Sequence, residues 1–198
     1  THKETLLGMN VTIPYKEDVG AFLDEIDEEA AEIGAINTIK IYKDGKRKGF
    51  NTDVYGFDQS IAPYIKDTHK TALILGTGGA SKAVAYAFKK RGISYKFVSR
   101  IPKDKNQISY ESLSEKVILE IGIIVNCSPL GTHPDVDKHP NIPFQFLNDS
   151  HLLFDLIYNP LETTFLRKGR EQGASIANGM KMLELQAEKS WEIWNRDR

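Results

Sequence analysis

From Thr71 onward the apolar residues fall into short blocks separated by helical stretches. Ala72–Leu75 reads as a buried strand, Gly76–Ala80 as a glycine turn, Ser81–Arg91 as a helix ended by Gly92, and Tyr95–Val98 as a second strand. Further strands are expected over Ile121–Asn126, Leu152–Leu156 and Ser175–Ala177, with a helix over about Leu161–Gln172. Strands alternating with helices predict a parallel, doubly wound sheet. The earlier part of the chain has a different pattern. Leu7–Ile13 is a short β-run stopped by Pro14, which cannot donate to a ladder in a strand centre. Val19, Phe22, Leu23, Ile26, Ala30 and Ile33 recur at helical spacing, with Gly34 placed for a C-terminal cap, and predict one amphipathic helix. Ile36–Tyr42 and Arg47–Asn51 flank Lys43-Asp44-Gly45-Lys46, a hairpin signal because Gly tolerates positive φ. A short helix over roughly Val54–Tyr64 and a polar connector, Lys66–Lys70, follow. After Gly179, Met180, Leu183, Ala187, Trp191 and Trp194 form one apolar stripe, in which the two tryptophans read as core packing.

Composition narrows the classes. The 198 residues suit one large or two small domains, and 40% hydrophobic with 27% charged residues is ordinary for a globular chain. The formal charge is 26 − 27 = −1, so no excess of positive charge drives phosphate-backbone binding and no nucleic-acid partner is expected. A single cysteine, Cys127, excludes an internal disulfide framework and a Cys-rich zinc site, and suits a reducing, cytoplasmic setting. The apolar runs around Ala72–Leu75 and Ile121–Val125 are far short of a membrane span, and no secretory signal opens the chain. Thr1-His2-Lys3 leads almost at once into a strand pattern without an initiating Met, which leaves room for residues upstream.

Gly76-Thr77-Gly78-Gly79-Ala80-Ser81 lies between a predicted strand and helix, where a Rossmann-type turn aims helix N–H groups at a pyrophosphate. Its last position departs from G-x-G-x-x-G, and a glycine-rich structural turn is the other reading. An NAD site places a carboxylate after the second strand, but here Ser99-Arg100 is followed by Lys103 and Lys105, with no acid before Asp104. A guanidinium suits a 2′-phosphate, so NADP is favoured over NAD, although the two lysines could equally be a solvated basic loop. Lys16 follows the Pro-terminated strand and Asp53 follows the hairpin, so both could face one cleft as a proton-shuttling pair, or be a plain ion pair. His133, Asp135, Asp137 and His139 lack a compact ligand motif and read as a solvated loop, with no metal expected. Cys127 reads as a small strand-end residue, not a nucleophile.

Together these motifs resemble the shikimate dehydrogenases. The resemblance is carried by Asn10-Val11-Thr12-Ile13-Pro14-Tyr15-Lys16, Gly34-Ala35-Ile36-Asn37-Thr38, Gly49-Phe50-Asn51-Thr52-Asp53 with Gly56, Gly76-Thr77-Gly78-Gly79-Ala80, Asn126-Cys127-Ser128-Pro129-Leu130-Gly131, Tyr158-Asn159-Pro160, and Gly179-Met180 through Gln186-Ala187. It implies an α/β enzyme that interconverts shikimate and 3-dehydroshikimate with NADP(H), in the route to aromatic amino acids. Two domains are implied: a substrate domain of residues 1–52 and 179–198, to which the C-terminal helix returns, and an NADP-binding Rossmann domain of residues 53–178. Carried over by position, Lys16 and Asp53 match the catalytic pair. Thr12, Asn37, Asp53, Tyr158 and Gln186 match substrate contacts; Gly76, Gly78, Gly79 and Ala80 match the pyrophosphate turn. Ser99 and Arg100 match the 2′-phosphate grip, and Ser128 and Gly179 lie near the nicotinamide side.

Two departures stand out. The family's opening βα unit, with a Ser-x-Ser-Pro signature for the substrate carboxylate, is not supplied before Asn10, so either more chain lies upstream or substrate binding is impaired. The family's Asn-Arg-Thr clamp reads Ser99-Arg100-Ile101 and loses a hydroxyl, which weakens the expected preference for NADP. A quinate/shikimate dehydrogenase using NAD and a noncatalytic nucleotide-binding module are the alternatives. Monomer and homodimer are both open.

Overall fold

The computed structural model describes residues 6–196, so the Thr1-His2-Lys3 opening lies outside them. The regular second part forms the expected strands, β5 (Thr71–Leu75), β6 (Ser94–Ser99), β8 (Ile123–Asn126), β9 (Leu152–Asp155) and β10 (Ser175–Ala177), with an unexpected one, β7 (Gln107–Ser109), at one edge. All pair in parallel, in the order β10-β9-β8-β5-β6-β7. Side chains alternate across a strand, so each strand feeds two cores. Ala72, Ile74, Ile123, Val125, Leu152 and Phe154 face one apolar layer, while Leu73, Leu75, Ile124 and Leu153 face the other. The first layer is filled by α2 (Asp53–Ile61) and α3 (Gly79–Lys90), whose Phe57 and Phe88 meet edge to face at 5.4 Å; Phe57 meets Phe154 at 5.2 Å. The second is covered by α4 (Glu115–Leu119) and α5 (Thr164–Glu171).

A second sheet, in the order β1-β3-β4-β2, joins β1 (Gly8–Asn10), β2 (Glu25–Ile26), β3 (Thr38–Ile41) and β4 (Arg47–Phe50). The β3–β4 hairpin turns at Gly45 with φ 88°, the left-handed value its Asp-Gly pair foretold. The single helix expected over Val19–Ile33 does not form. A 3₁₀ turn (Val19–Phe22) is followed by β2, which pairs with Lys48 and Gly49 of β4. Only then does α1 (Glu28–Ile33) begin, capped by Asp27 through Glu29 N–H and ended by Gly34 at φ 71°. Pairing with a distant strand overrides the local period.

Three further expectations are corrected. The β-run Leu7–Ile13 keeps only Gly8–Asn10 as strand. The helix predicted from Leu161 starts at Thr164, because Thr163 caps it by accepting from Leu166 N–H at 3.3 Å. In α6 (Met180–Asn195) the buried positions are Met182, Ser190 and Ile193, while Ala187 faces solvent and Trp191 is 64% exposed. Trp191 is therefore not a core residue, and Trp194 donates its indole N–H to Ile39 O at 3.0 Å. Both β7 and α4 escaped the sequence reading because they are only three and five residues long. Among the described residues, no helix is long and apolar enough to cross a membrane.

Helix α6 runs back from the parallel sheet onto α2. An added Cβ on Gly56 would lie 2.7 Å from Met182 O and 3.0 Å from Gln186 Cβ, so glycine is what lets the two helices approach. That contact brings Gln186 and Ser190 to the smaller sheet.

Candidate active site

Lys16, Asn37, Asp53 and Gln186 come from four separate segments and meet. Lys16 Nζ donates to Asp53 Oδ2 at 2.6 Å, with side chains 14% and 7% exposed. The other carboxylate oxygen accepts from Asn37 Nδ2 at 2.9 Å, and Asn37 Oδ1 accepts from Thr52 N–H at 2.7 Å. Asp53 is the first residue of α2, where the helix dipole favours a negative charge. Asn51 fixes that helix start by accepting from Val54 N–H at 3.1 Å and donating to Ala35 O at 2.8 Å. Gln186 Oε1 stands 3.5 Å from both Asn37 Nδ2 and Thr52 Oγ1, at the edge of bonding distance. Beneath these lie groups the sequence reading did not assign. Ser190 Oγ is 2.7 Å from Thr38 Oγ1 and 3.1 Å from Thr52 Oγ1, and accepts from Asn10 Nδ2 at 3.1 Å. One available signal was the spacing of Gln186 and Ser190, i and i+4 on one helix face.

Beside this net opens a cleft of about 810 Å³ at the C-terminal ends of β5, β6 and β8. In the strand order, β5 and β8 are where the winding direction reverses, the crevice in which open α/β sheets bind ligands. Gly76, Gly78, Gly79 and Ala80 form one wall, Ser99, Arg100 and Tyr110 a second, Ser128 a third, and Lys16 a fourth. Gly76 has φ 113°, which only glycine adopts easily. An added Cβ on Gly78 would meet nothing within 4 Å, so this glycine keeps open space for a close ligand and fills no structural need. A Cβ on Gly79 would lie 3.1 Å from Lys16 Cβ, where the lysine stem crosses the start of α3. Gly79 and Ala80 open the first turn of α3, whose N–H groups have no intrahelical acceptor and favour an anion. Ser81, the departure from the glycine pattern, is buried and donates its hydroxyl to Gly78 O at 2.6 Å, which ties the turn shut. This donor set and open wall fit a dinucleotide phosphate, and the exposed Arg100 lines the same cleft.

Ser128 Oγ donates to Asn126 Oδ1 at 2.7 Å, while Ser99 Oγ turns into its own loop and donates to Ile101 O at 3.1 Å. Burial raises the Tyr110 hydroxyl pKa, opposed by the nearby Arg100 charge. Burial, then the Asp155 carboxylate, pushes the Cys127 thiol well up, which disfavours the nucleophilic thiolate. Asp135 pairs with Lys138 at 2.9 Å, and His139 donates Nδ1–H to Pro140 O at 2.9 Å. Among the described residues no group of three His, Cys, Asp or Glu is gathered to hold a metal.

The family model for the shikimate dehydrogenase substrate binding domain matches residues 1–39. The shikimate dehydrogenase (NADP(+)) of Methanosphaera stadtmanae is 39% identical over 203 residues, which cover 94% of this chain and 71% of that protein. This chain belongs to the shikimate dehydrogenase family. A solved shikimate dehydrogenase of Peptoclostridium difficile superposes with TM-score 0.84 at 40% identity, covering 98% of this chain and 72% of that one. The shikimate 5-dehydrogenase of Thermus thermophilus, solved with NADP(H) and shikimate, gives TM-score 0.83 at 30% identity, covering 97% and 74%.

Within the shikimate dehydrogenase frame, Lys16, Asn37, Asp53 and Gln186 stand together, and the glycine turn, Ser99, Arg100 and Ser128 share the cleft. Three expected site residues stand outside both groups. Thr12 and Tyr158 are exposed, and their side chains make no hydrogen bond among the described residues. Gly179 is packed so closely on the Leu156 carbonyl that no Cβ fits, and it donates its N–H to Ile157 O at 3.0 Å.

Proposed function

We propose that this chain interconverts shikimate and 3-dehydroshikimate with NADP(H), serving aromatic amino acid synthesis. The observation that carries the reading is that Lys16 belongs both to the buried net of Asp53 and to the wall of the glycine-turn cleft. A proton-transfer group is thereby held where a carbinol and a nicotinamide can meet. When bound, NADP⁺ would supply the acceptor for the hydride of the ring carbinol.

Lys16 handles the matching proton. In oxidation the hydroxyl proton passes to Lys16 Nζ, and in reduction the ammonium returns one to the alkoxide, whose charge it stabilises on the way. Asp53 aims Nζ and binds substrate hydroxyls, and Asn37 keeps Asp53 from turning away. Asn37 and Gln186 take substrate hydroxyl or carboxylate groups from the net, while Thr12 and Tyr158, exposed and outside it, join them by family position alone. Gly76, Gly78, Gly79 and Ala80 cradle the pyrophosphate, Arg100 holds the 2′-phosphate end and Ser128 borders the nicotinamide, while Ser99, its hydroxyl turned into its own loop, and Gly179, packed on Leu156, join them by family position alone.

We assign residues 1–52 and 179–198 to a substrate domain and 53–178 to a cofactor domain. The separate sheets and the return of α6 support that division. The lone cysteine supports a cytoplasmic setting. The test is the absorbance of reduced nicotinamide when the protein meets shikimate with NADP⁺ or NAD⁺. Turnover with NADP⁺ is expected; cofactor binding without turnover of shikimate would sink the reading and favour a noncatalytic module.

A further inference from the structure

At the carboxyl end of the parallel sheet, one buried carboxylate gathers three segments. Asp155, the last residue of β9, is 0% exposed. Its Oδ1 accepts from Asn126 Nδ2 at 3.0 Å and from Ile157 N–H at 3.1 Å. Its Oδ2 accepts from the Thr163 hydroxyl at 2.6 Å, and Thr163 is the cap of α5. Asn126 passes the order on, because its Oδ1 accepts from Ser128 N–H at 3.0 Å and from Ser128 Oγ at 2.7 Å.

Groups of fixed kind set the direction of these bonds: Asp155 and the Leu130 carbonyl, 3.3 Å from Asn126 Nδ2, only accept, and Ser128 N–H only donates. An ionised Asp only accepts, so Asn126 must turn its NH₂ toward Asp155 and its carbonyl toward Ser128. Ser128 then spends its hydroxyl proton inward and leaves its remaining lone pair for the cleft it lines. An amide in place of Asp155 offers both a donor and an acceptor, so Asn126 Nδ2 loses its assured acceptor at 3.0 Å and keeps only the longer bond to Leu130 O at 3.3 Å.

We propose that Asp155 is a positioning residue for the cofactor end of the cleft: through Asn126 it sets the Ser128 loop, and through Ile157 N–H and Thr163 it ties that loop to the β9 loop and α5. The inference rests on the reading of the cleft as a nicotinamide dinucleotide site. Burial raises the Asp155 carboxyl to about 6, opposed by its bonds from Thr163, Ile157 and Asn126. Those three donors are uncharged, and the titratable group among the described residues whose charge couples to it is the Cys127 thiol. Below pH 6 the protonated wild type therefore resembles Asp155→Asn.

The experiment is NADPH binding by fluorescence titration from pH 5 to 8, for wild type, Asp155→Asn, Thr163→Val and Thr163→Ser, with Tm measured alongside. At pH 8 Asp155→Asn should weaken binding by about tenfold and Thr163→Val by about threefold, with Thr163→Ser within about twofold of wild type. At pH 5 the gap between wild type and Asp155→Asn should close. Equal affinities across the pH range, with only Tm lowered, would overturn the role and leave Asp155 a fold residue. Should Asp155→Asn fail to fold, the Val and Ser variants decide by the same criterion. NADPH binding by wild type without turnover of shikimate defeats the activity reading while the positioning role is still judged on affinity; no binding by wild type at any pH defeats both.

Discussion

Lys16 and Asp53 can be removed one side at a time, and the geometry says what each removal costs. At 2.6 Å the gross attraction of two unit charges is about 6 kcal/mol for an effective dielectric of about 20. Desolvation offsets part of this, since both side chains are largely shut from water. Lys16→Ala leaves the Asp53 carboxylate with Asn37 Nδ2 as its side-chain donor and an uncompensated charge, a loss of about 3 kcal/mol. Asp53→Asn strands the ammonium instead, at a similar cost. The double variant strands neither, so its loss should fall short of the sum of the singles by about 2–3 kcal/mol. Urea unfolding of the four proteins in one buffer measures that coupling. A coupling below about 0.5 kcal/mol would mean that water already screens both groups, and that Asp53 does not hold Lys16 in place. In turnover, Lys16→Ala should lower kcat by about 10²–10⁴-fold with a much smaller change in KM. Retained kcat would remove Lys16 from proton transfer.

Three further outcomes are expected. Arg100→Gln should cut kcat/KM for NADP⁺ by about 10–100-fold and leave NAD⁺ almost unchanged, because the guanidinium serves the extra phosphate; equal losses with both cofactors would refute this. Gly78→Ala should leave the urea midpoint unchanged or raise stability by about 0.4–1 kcal/mol, since φ is −81° and the new methyl meets no protein atom. It should nonetheless weaken NADPH binding by tenfold or more, and unchanged binding would place the dinucleotide elsewhere. The carboxyl of Asp155 rises from 3.8 to about 6 on folding, so between these values the folded state holds more protons. Its contribution to stability is full below pH 4 and is lost as pH rises through 6, on the order of 3 kcal/mol. Relative to Asp155→Asn, wild type should therefore lose stability on the order of 3 kcal/mol from pH 4 to 7.5, and a difference that ignores pH would contradict the burial argument.

Much of the parallel sheet was readable from the chain because its strands are buried on both faces. Thr71–Leu75 and Leu152–Asp155 are apolar runs bounded by turn residues, and neither depends on distant pairing to be recognised. The smaller sheet was harder to read. Glu25–Ile26 is a strand only because β4 lies alongside, and its residues also satisfy a helical period. The last helix shows the same limit in another form. An apolar stripe was the best guess for its buried face, yet it buries Ser190 against Thr38 and Thr52, since the surface it meets is a polar net.

The local sequence determined the turns and caps: Gly76 with its positive φ, the Asp-Gly hairpin, and the glycine wall of the cleft. These depend on what one residue's backbone can adopt, which is a property of the residue itself. It also marked Lys16, Asp53 and, through the family resemblance, Asn37 and Gln186 as chemical candidates, with Arg100 for the cofactor. That the first four of these stand together, with Asn37 and Gln186 in contact across 149 positions, was decided by tertiary structure alone. So was the place of Asp155, an acid in an apolar strand whose partners come from three segments. Electrostatics and hydrogen bonding act over a few ångströms in space, and sequence distance carries no record of them until the core has brought the segments together.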